Sequence, residues 1–320
     1  MKKRQITIKD IAKALHISPS TVSRSLADHP DISQETKNIV NAYAREHKYK
    51  PNALALSLRT NNTKTIGVIL PQIVHYFFSS VLSGIEDEAE KGGYRVIICQ
   101  SNENYEKEVK GAQALLEARV CGVLASVAKT TTIYNHFQEL IDSDIPMVFF
   151  DRICTGILTD RVVVDDYAGV CSAVEYLIRS GCRRIAFFGS PSHLAISNNR
   201  RMGYEDALRK NGLPVDKELI KICDNYTEAL RLTPELLSLP NRPFFAVNDE
   251  TAIGVLNVVK AKGLRIPDEV SICGFTNNSL AEVSDPLLTS VDQHGYELGA
   301  IAMRLLIERL NGVRDGDRIV

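Results

Sequence analysis

From Ile66 onward, short apolar runs alternate with amphipathic segments, and this alternation restricts the possible folds more than any other feature of the chain. A strand is a nearly continuous apolar run when helices cover both faces of a parallel sheet. The alternation restarts after RVVVDD, so two such layered units are expected. The predicted strands contain TIGVILP, YRVIICQ, CGVLAS, PMVFF, RIAFFG, IKICDN, FFAVND and VSICGF.

The amphipathic segments between these runs are predicted helices. We therefore predict an α/β fold whose body consists of two doubly wound parallel-sheet lobes, one of about 65–162 with 293–320 and one of about 163–292. The chain has 320 residues, of which 44% are hydrophobic, and this is enough for more than one core. The predicted helices span Phe78 to about Lys91, Glu103 to Ala118, about Ile133 to Ser143, Ala168 to Ser180, about Asn199 to Asn211, Thr251 to Lys262, and Tyr296 to Leu310.

The first 50 residues follow a different pattern, which predicts a small three-helix head. Thr7 precedes IKDIAKAL and has Asp10 three residues later, an arrangement typical of a helix start. Ser18 followed by Pro19 starts a second helix, and Ser33 starts a third. The third helix is expected to bury Ile39, Val40, Tyr43 and Ala44.

Residues 51–64 connect this head to the lobes. The segment NALALSLRTNNTKT begins with an Asn cap but has too few apolar residues to be buried alone. Isolated helices shorter than about 12 residues are marginal in water, so this segment is predicted to become helical only when something packs against it.

Charge is divided unequally between the two parts. Residues 1–64 contain 12 Lys and Arg against 5 Asp and Glu, a formal charge of +7, whereas the whole chain carries −1. The rest of the chain therefore carries −8. A basic module joined to an acidic body is expected when only the module approaches a polyanion.

The second helix of the head, SPSTVSRSL, carries small hydroxyl side chains and a single long cation. A helix-turn-helix unit places its second helix in the DNA major groove, where short polar side chains and arginine forks reach base edges. Pro19, Ser20 and Arg24 are the candidates for base contacts. Four residues are assigned to phosphate contacts, which fix register without reading sequence: Thr7, Thr21, Ser23 and Asn52. The alternative is an ordinary polar surface helix.

Several other classes of protein are disfavoured. The seven cysteines are widely spaced without a C-x-x-C pair, so reduced, buried thiols are expected rather than a metal site or a nucleophile. The chain lacks G-x-G-x-x-G, a P-loop, G-x-S-x-G and H-x-x-x-H, so neither an enzyme nor a cofactor is expected. No apolar run approaches the roughly 20 residues of a membrane span, and no apolar signal segment is present, so a cytoplasmic location without membrane contact is expected.

The motifs occur together and in order in one known family. T-x-x-D-I-A, S-x-x-T-V-S-R, I-S-x-x-T, Y-x-P-N and K-T-I-G-V are followed by PMVFFDR, RRMGYEDAL, AVNDETAIG and PLLTSVDQ. This pattern resembles the lactose-repressor (LacI/GalR) family of bacterial transcription regulators over essentially the whole chain. The resemblance implies a homodimer that binds a near-palindromic DNA operator, and lobes like those of periplasmic sugar-binding proteins.

The resemblance also gives the connecting segment a role. In that family a leucine of the corresponding helix enters the minor groove, and by position this leucine is Leu58. An apolar wedge unstacks a base step and bends the duplex. The alternative is that Leu54 and Leu58 pack against the head. The chain departs from the family pattern at Leu56, where a polar or basic residue is usual, so the face presented to DNA stays open.

A ligand cleft is expected at the carboxyl ends of the strands of the two lobes. The family resemblance implies a small-molecule effector there, a sugar or sugar derivative. Some candidates have structural alternatives: Asp165 or Asp166 as a helix cap, the phenylalanines as core, and Arg152 in an ion pair. Thr276, Asn277 and Asn278 stand where the family often has aspartates. The candidate effector residues are Phe77, Phe78, Asp151, Arg152, Asp165, Arg200, Asn248, Asp249 and Gln293.

The sequence therefore predicts an effector-responsive transcriptional regulator and favours a repressor, with an activator as the open alternative. The alternative is a cytoplasmic protein that binds a sugar or nucleoside and has no role at DNA.

Overall fold

The computed structural model describes residues 6–49, 63–238, 243–313 and 316–320. The chain divides into two compact units, Met1–Thr63 and Lys64–Val320. The predictions for Asn52, Leu54, Leu56 and Leu58 lie outside the described residues.

The head consists of three helices: α1 (Ile8–Ala14), α2 (Pro19–Leu26) and α3 (Gln34–Glu46). Each predicted cap is present, because Thr7, Ser18 and Ser33 accept hydrogen bonds from the first turns of the helices that they precede. The prediction for Ile39 was wrong, since this side chain is 51% exposed. The stripe that α3 buries is Lys37, Val40 and Ala44, and Ile11, Ala12 and Val22 complete the core.

The first lobe of the second unit contains the parallel sheet β2-β1-β3-β4-β5. Val148 and Phe150 pack on one face of this sheet and Phe149 packs on the other, so its central strands are buried on both sides. Its elements are β1 (Thr65–Leu70), α4 (Tyr76–Lys91), β2 (Arg95–Gln100), α5 (Tyr105–Glu117), β3 (Gly122–Ala125), α6 (Asn135–Asp142), β4 (Met147–Phe150) and β5 (Asp160–Val162).

The second lobe contains the parallel sheet β10-β9-β8-β6-β7, and the chain then returns to the first lobe in α12. Phe244 and Phe245 point to its two faces. Its elements, with α12, are α7 (Asp166–Arg179), β6 (Ala186–Gly189), α8 (Ala195–Lys210), β7 (Ile220–Ile222), α9 (Tyr226–Leu236), β8 (Phe244–Ala246), α10 (Asp249–Ala261), β9 (Ile272–Thr276), α11 (Ser279–Val283), β10 (Thr289–Asp292) and α12 (Gly295–Leu310). The predicted fold class is confirmed.

Helices α9 and α11 were not predicted. Pro234 lies inside α9, and a proline usually marks the end of a helical pattern. Pro234 lies in the last turn of α9, so its missing N–H removes only one hydrogen bond near the end of the helix. Helix α11 has only five residues, too few for periodicity to reveal it.

Contact between α4 and α12 fixes the return of the chain to the first lobe. A Cβ atom on Gly84 would lie 2.0 Å from the carbonyl oxygen of Tyr296, and one on Gly299 would lie 1.9 Å from that of Val81. Only glycine allows the two backbones to approach this closely. The segment that follows α12 lies beside β5, where Val163 N donates to Val320 O at 2.9 Å. Among the residues that the structure describes, no helix combines the length and the apolar character that a membrane span requires.

Candidate functional site

Helix α2 presents two contrasting faces. Val22 and Ser25 are buried, and the Ser25 hydroxyl donates to the carbonyl oxygen of Thr21 at 2.8 Å. At the start of the helix, Ser18 Oγ accepts from Thr21 N at 3.0 Å and lies 2.7 Å from Ser20 Oγ. The hydrogen bonds order the first turn of α2, and Val22 packs against Ile11 of α1 and Val40 of α3 in the core of the head.

The opposite face of α2 carries the predicted base contacts. Pro19, Ser20 and Arg24 are exposed, whereas Thr21 and Ser23 are half-buried. Within the described residues, the Arg24 guanidinium forms no hydrogen bond or ion pair with another side chain. Such a face, exposed at Pro19, Ser20 and Arg24 and capped at its start by Ser18, is suited to enter a groove.

Thr7, a predicted phosphate contact, lies at the start of α1. Its backbone N–H and its hydroxyl donate to Asp10 Oδ2 at 2.9 and 2.7 Å, which completes a capping box. Asp10 is therefore directed toward the helix terminus, and Thr7 is exposed.

A cleft lies between the carboxyl ends of the strands of the two lobes. It encloses about 740 Å³ of empty volume, part of it open to solvent. Seven of the nine predicted effector residues line it: Phe77, Phe78, Asp151, Arg152, Arg200, Asn248 and Gln293.

Asp165 and Asp249 do not line the cleft. Asp165 caps α7, because its Oδ1 accepts from Ala168 N at 2.9 Å. Asp249 is fully buried and accepts hydrogen bonds from Asn278 N at 2.8 Å and from Ser290 Oγ at 2.5 Å. Burial raises the pKa of Asp249, and these hydrogen bonds oppose the rise. The Asp165 carboxylate therefore caps α7, and the Asp249 carboxylate connects the start of α10 to the start of α11 and to β10.

Arg200 and Arg152 are held in place by acidic partners. Arg200 is buried in the second lobe, where its Nε donates to Asp166 Oδ1 at 2.7 Å and its Nη1 to the carbonyl oxygen of Val247 at 2.8 Å. Its guanidinium lies 4.1 Å from the centre of the Phe275 ring. Arg152, in the first lobe, donates from Nη1 to both carboxylate oxygens of Glu103 at 2.8 Å.

Asn248 and Gln293 also make contacts within the chain. Asn248 caps α10, with its Oδ1 accepting from Thr251 N and its Nδ2 donating to Asp224 O, both at 2.8 Å. Gln293 Oε1 accepts from Thr276 Oγ1 at 3.0 Å. Phe77 and Phe78 belong both to the first-lobe core and to the wall of the cleft.

Asp151 differs from these residues. It is 5% exposed and follows β4 with a left-handed backbone (φ 57°). Desolvation raises the pKa of its carboxyl from 3.8 to about 6, with Arg152 and Arg200 opposing the rise and Asp166 and Glu103 adding to it.

Sequence reasoning missed the residues that join the two lobes across the cleft. His75 Nδ1 lies 2.7 Å from Glu250 Oε1, and this hydrogen bond lowers the pKa of Glu250. Lys129 Nζ lies 2.8 Å from Asp224 Oδ2. Lys129 follows the predicted strand run CGVLAS by three residues and Asp224 lies near the end of IKICDN, so charged residues at strand ends were the available signal. The sequence could not show that His75 pairs with Glu250 or Lys129 with Asp224, because the two residues of each pair belong to different lobes.

The two parts of the chain each match a known protein family. Residues 7–52 match the family described as bacterial regulatory proteins, lacI family, and residues 174–319 match a periplasmic binding protein-like domain. The catabolite control protein A of Priestia megaterium is 33% identical over 310 residues, which are 96% of this chain and 93% of that protein. The HTH-type transcriptional repressor CytR of Escherichia coli (strain K12) is 33% identical over 322 residues, 98% of this chain and 93% of that protein.

The fold extends to more distant proteins. The Lac repressor dimer bound to operator and the anti-inducer ONPF matches with a TM-score of 0.87 and 20% identity, over 99% of this chain and 96% of that chain. At this identity the match shows the fold alone. The near-complete coverage of named transcriptional regulators at 33% identity, combined with the exposed polar helix of the head, shows that this chain belongs to the lacI family of bacterial regulatory proteins, DNA-binding regulators of transcription.

Proposed function

We propose that this protein is a repressor that binds a near-palindromic operator as a homodimer and responds to a small molecule, a sugar or sugar derivative, in the cleft. The observation that carries the proposal is the exposed face of α2, where Ser20 and Arg24 project from a helix that is buried on its other side. The names of the relatives, repressor and control protein, support regulation by DNA binding.

The proposed roles in the head follow from side-chain chemistry. Pro19, Ser20 and Arg24 would meet base edges, since an arginine fork matches the two acceptors of guanine in the major groove. The proposed phosphate contacts are Thr7, Thr21, Ser23 and Asn52, and the proposed minor-groove wedge is Leu58. We further propose 1–50 as the head, 51–64 as the connecting segment and 65–320 as the effector-binding and dimerisation unit.

In the cleft we retain the seven lining residues as the effector site and leave out Asp165 and Asp249. The Asp165 carboxylate accepts from Ala168 N, and the Asp249 carboxylate accepts from Asn278 N and Ser290 Oγ. Aromatic walls of Phe77 and Phe78 with several fixed polar side chains suit a hydroxylated ring. We propose binding without catalysis, which agrees with relatives that are named as regulators. A site of action at chromosomal DNA would place the protein in the cytoplasm.

We propose that closure of the lobes sets the distance between the two heads of the dimer. The sheets are joined through the segments between β5 and α7 and between β10 and α12, and such short connections can act as hinges. The coupling between effector and operator would be of order 1–3 kcal/mol, about 5- to 150-fold in affinity.

The test uses operator sequences selected by the full-length protein from random DNA. Arg24→Ala is expected to weaken binding to the selected operator by about 1–3 kcal/mol and to lose discrimination at the base that it reads. Arg45→Ala, an exposed arginine of α3 whose Nε bonds to Asn41 O, is the matched control and should leave base preference intact. Equal losses on operator and random DNA for Arg24→Ala would contradict the proposed role.

A further inference from the structure

The buried stripe of α3 contains a lysine among apolar residues. Lys37 is 9% exposed and lies on the face that also buries Val40 and Ala44. Its Nζ lies 2.9 Å from Asp28 Oδ1 and donates to the backbone carbonyl oxygen of Asp28 at 3.3 Å. A lysine is rarely buried unless its charge is paired. Both the side chain and the backbone of Asp28 are therefore bound by a cation that belongs to another helix.

Asp28 lies in the turn that ends α2. Its backbone is left-handed (φ 54°), and its N–H donates to the carbonyl oxygen of Ser25 at 3.2 Å. The next N–H, that of His29, donates to the carbonyl oxygen of Arg24 at 3.0 Å. These two hydrogen bonds form a Schellman motif, in which glycine is the usual left-handed residue. The contacts of Lys37 therefore stabilise a turn that Asp28 by itself favours less than glycine would.

The charges of this pair do not attract DNA. The Asp28 carboxylate is 87% exposed, whereas the Lys37 side chain is 11% exposed. Hydrogen bonding to Lys37 and the charge of its ammonium lower the pKa of the Asp28 carboxyl, which is therefore ionised at neutral pH. An exposed carboxylate repels phosphate groups, and the cation that balances it is covered. An effect of this pair on DNA binding is therefore expected to come from geometry.

The turn holds the end of α2 that carries Arg24. Arg24 lies in the last turn of the helix, and its carbonyl oxygen is an acceptor of the Schellman motif. An arginine fork forms two hydrogen bonds to guanine, and both depend on the angle of approach. Such side chains need to be held within about 0.5 Å by the residues behind them. A shift of the last turn would move Arg24 relative to the base edge, whereas the Ser18 cap holds the start of the helix separately.

We propose that Lys37 is a positioning residue for base recognition, which with Asp28 fixes the last turn of α2 and holds Arg24 at the angle at which it meets its base. The inference rests on the proposed role of Arg24 and adds to operator specificity a residue that does not itself read a base.

The alternative role for a lysine of the head is a direct contact with phosphate. One phosphate contact strengthens binding to every sequence and adds about 0.9 to the slope of log affinity against log salt. A positioning residue acts only where a base is read, so its loss lowers the ratio of operator to random-DNA affinity and leaves the salt slope on random DNA unchanged. A loss of stability alone does not change this ratio, because it removes the same fraction of molecules from binding to either DNA.

The experiment measures the affinity of the full-length protein for the selected operator and for random DNA at several salt concentrations. Lys37→Met should lower the ratio of the two affinities by at least about fivefold, the lower end of the discrimination that one bidentate base contact gives. Lys37→Arg should retain most of the ratio, because it keeps a charged donor on α3. In an Arg24→Ala background Lys37→Met should cause no further loss of the ratio, since Lys37 acts through Arg24.

Asp28→Ala tests the other half of the pair. Its matched control is Asp31→Ala, which removes the same charge from the same connection between α2 and α3, but from a carboxylate that lies 3.4 Å from His29 Nδ1. The two variants should bind random DNA alike, and only Asp28→Ala should lower the ratio.

The outcomes separate this inference from the proposed function. An unchanged ratio in Lys37→Met, equal losses on both DNAs with a smaller salt slope, or an equally large loss of the ratio in the Arg24→Ala background overturns the inference. If Lys37→Met abolishes binding to both DNAs, the alanine pair decides, and equal ratios for Asp28→Ala and Asp31→Ala overturn the inference. A wild-type protein that does not distinguish the selected operator from random DNA contradicts the proposed function itself.

Discussion

Removing the charge of Asp151 is expected to stabilise the effector-free protein. Burial raises the pKa of this carboxyl from 3.8 to about 6, which corresponds to about 3 kcal/mol of lost stability when the group is ionised in both the folded and unfolded states. Below about pH 4 the group is increasingly protonated in both states, and this cost disappears. Asp151 therefore does not lower the free energy of unfolding at low pH, and it lowers this free energy increasingly as the pH rises from about 4 to about 6.

Asp151→Asn keeps the shape of the side chain and removes its charge. At pH 7.5 the variant should have a free energy of unfolding about 1–3 kcal/mol above that of the wild type, with the unpaired amide offsetting part of the gain. At pH 5 roughly half of the gain should remain, because the unfolded chain is still ionised there and the folded chain is mostly protonated.

Urea denaturation of the full-length protein, followed through the transition of the lobes at several values between pH 5 and pH 7.5, measures this difference. Asp165→Asn is the control, since asparagine caps a helix as well as aspartate does and its stability should stay close to that of the wild type. Parallel pH profiles for Asp151→Asn and the wild type, or a variant that is less stable at pH 7.5, would refute the reasoning.

Two further changes test the packing and the closure of the lobes. Gly299→Ala would place a Cβ atom 1.9 Å from the carbonyl oxygen of Val81, so thermal denaturation should show a loss of roughly 1–3 kcal/mol or more. Gly156→Ala, where the nearest atom is 3.9 Å away, should be close to neutral, and equal losses would contradict the packing argument. Lys129→Met removes the contact with Asp224 across the cleft and should open the lobes, with a larger radius of gyration in X-ray scattering and about fivefold weaker effector binding. An unchanged radius and affinity would show that this pair does not hold the cleft closed.

Interactions within a few residues of one another could be predicted from the sequence. Thr7, Ser18 and Ser33 each cap a helix that begins at the next residue, because a cap needs only a side-chain oxygen and the following turn. Apolar runs predicted the strands for a similar reason, since a strand between two helical layers must be apolar on both faces. Helix α9 was not predicted because a proline such as Pro234 usually ends a helix. In the folded lobe, packing keeps the helix in place despite this proline.

For the cleft, the sequence alone predicted which strand ends approach each other but not what each side chain would do there. Asp165 and Asp151 are both acidic residues near the end of a strand, yet one caps a helix and the other lines the cleft, with its Oδ2 3.9 Å from Arg152 Nε. The pairing of Lys129 with Asp224 joins residues of different lobes. Sequence periodicity and capping determined the elements, because these depend on neighbours along the chain. Only the tertiary structure decided which charges are balanced, because charge balance depends on distances between residues far apart in the chain.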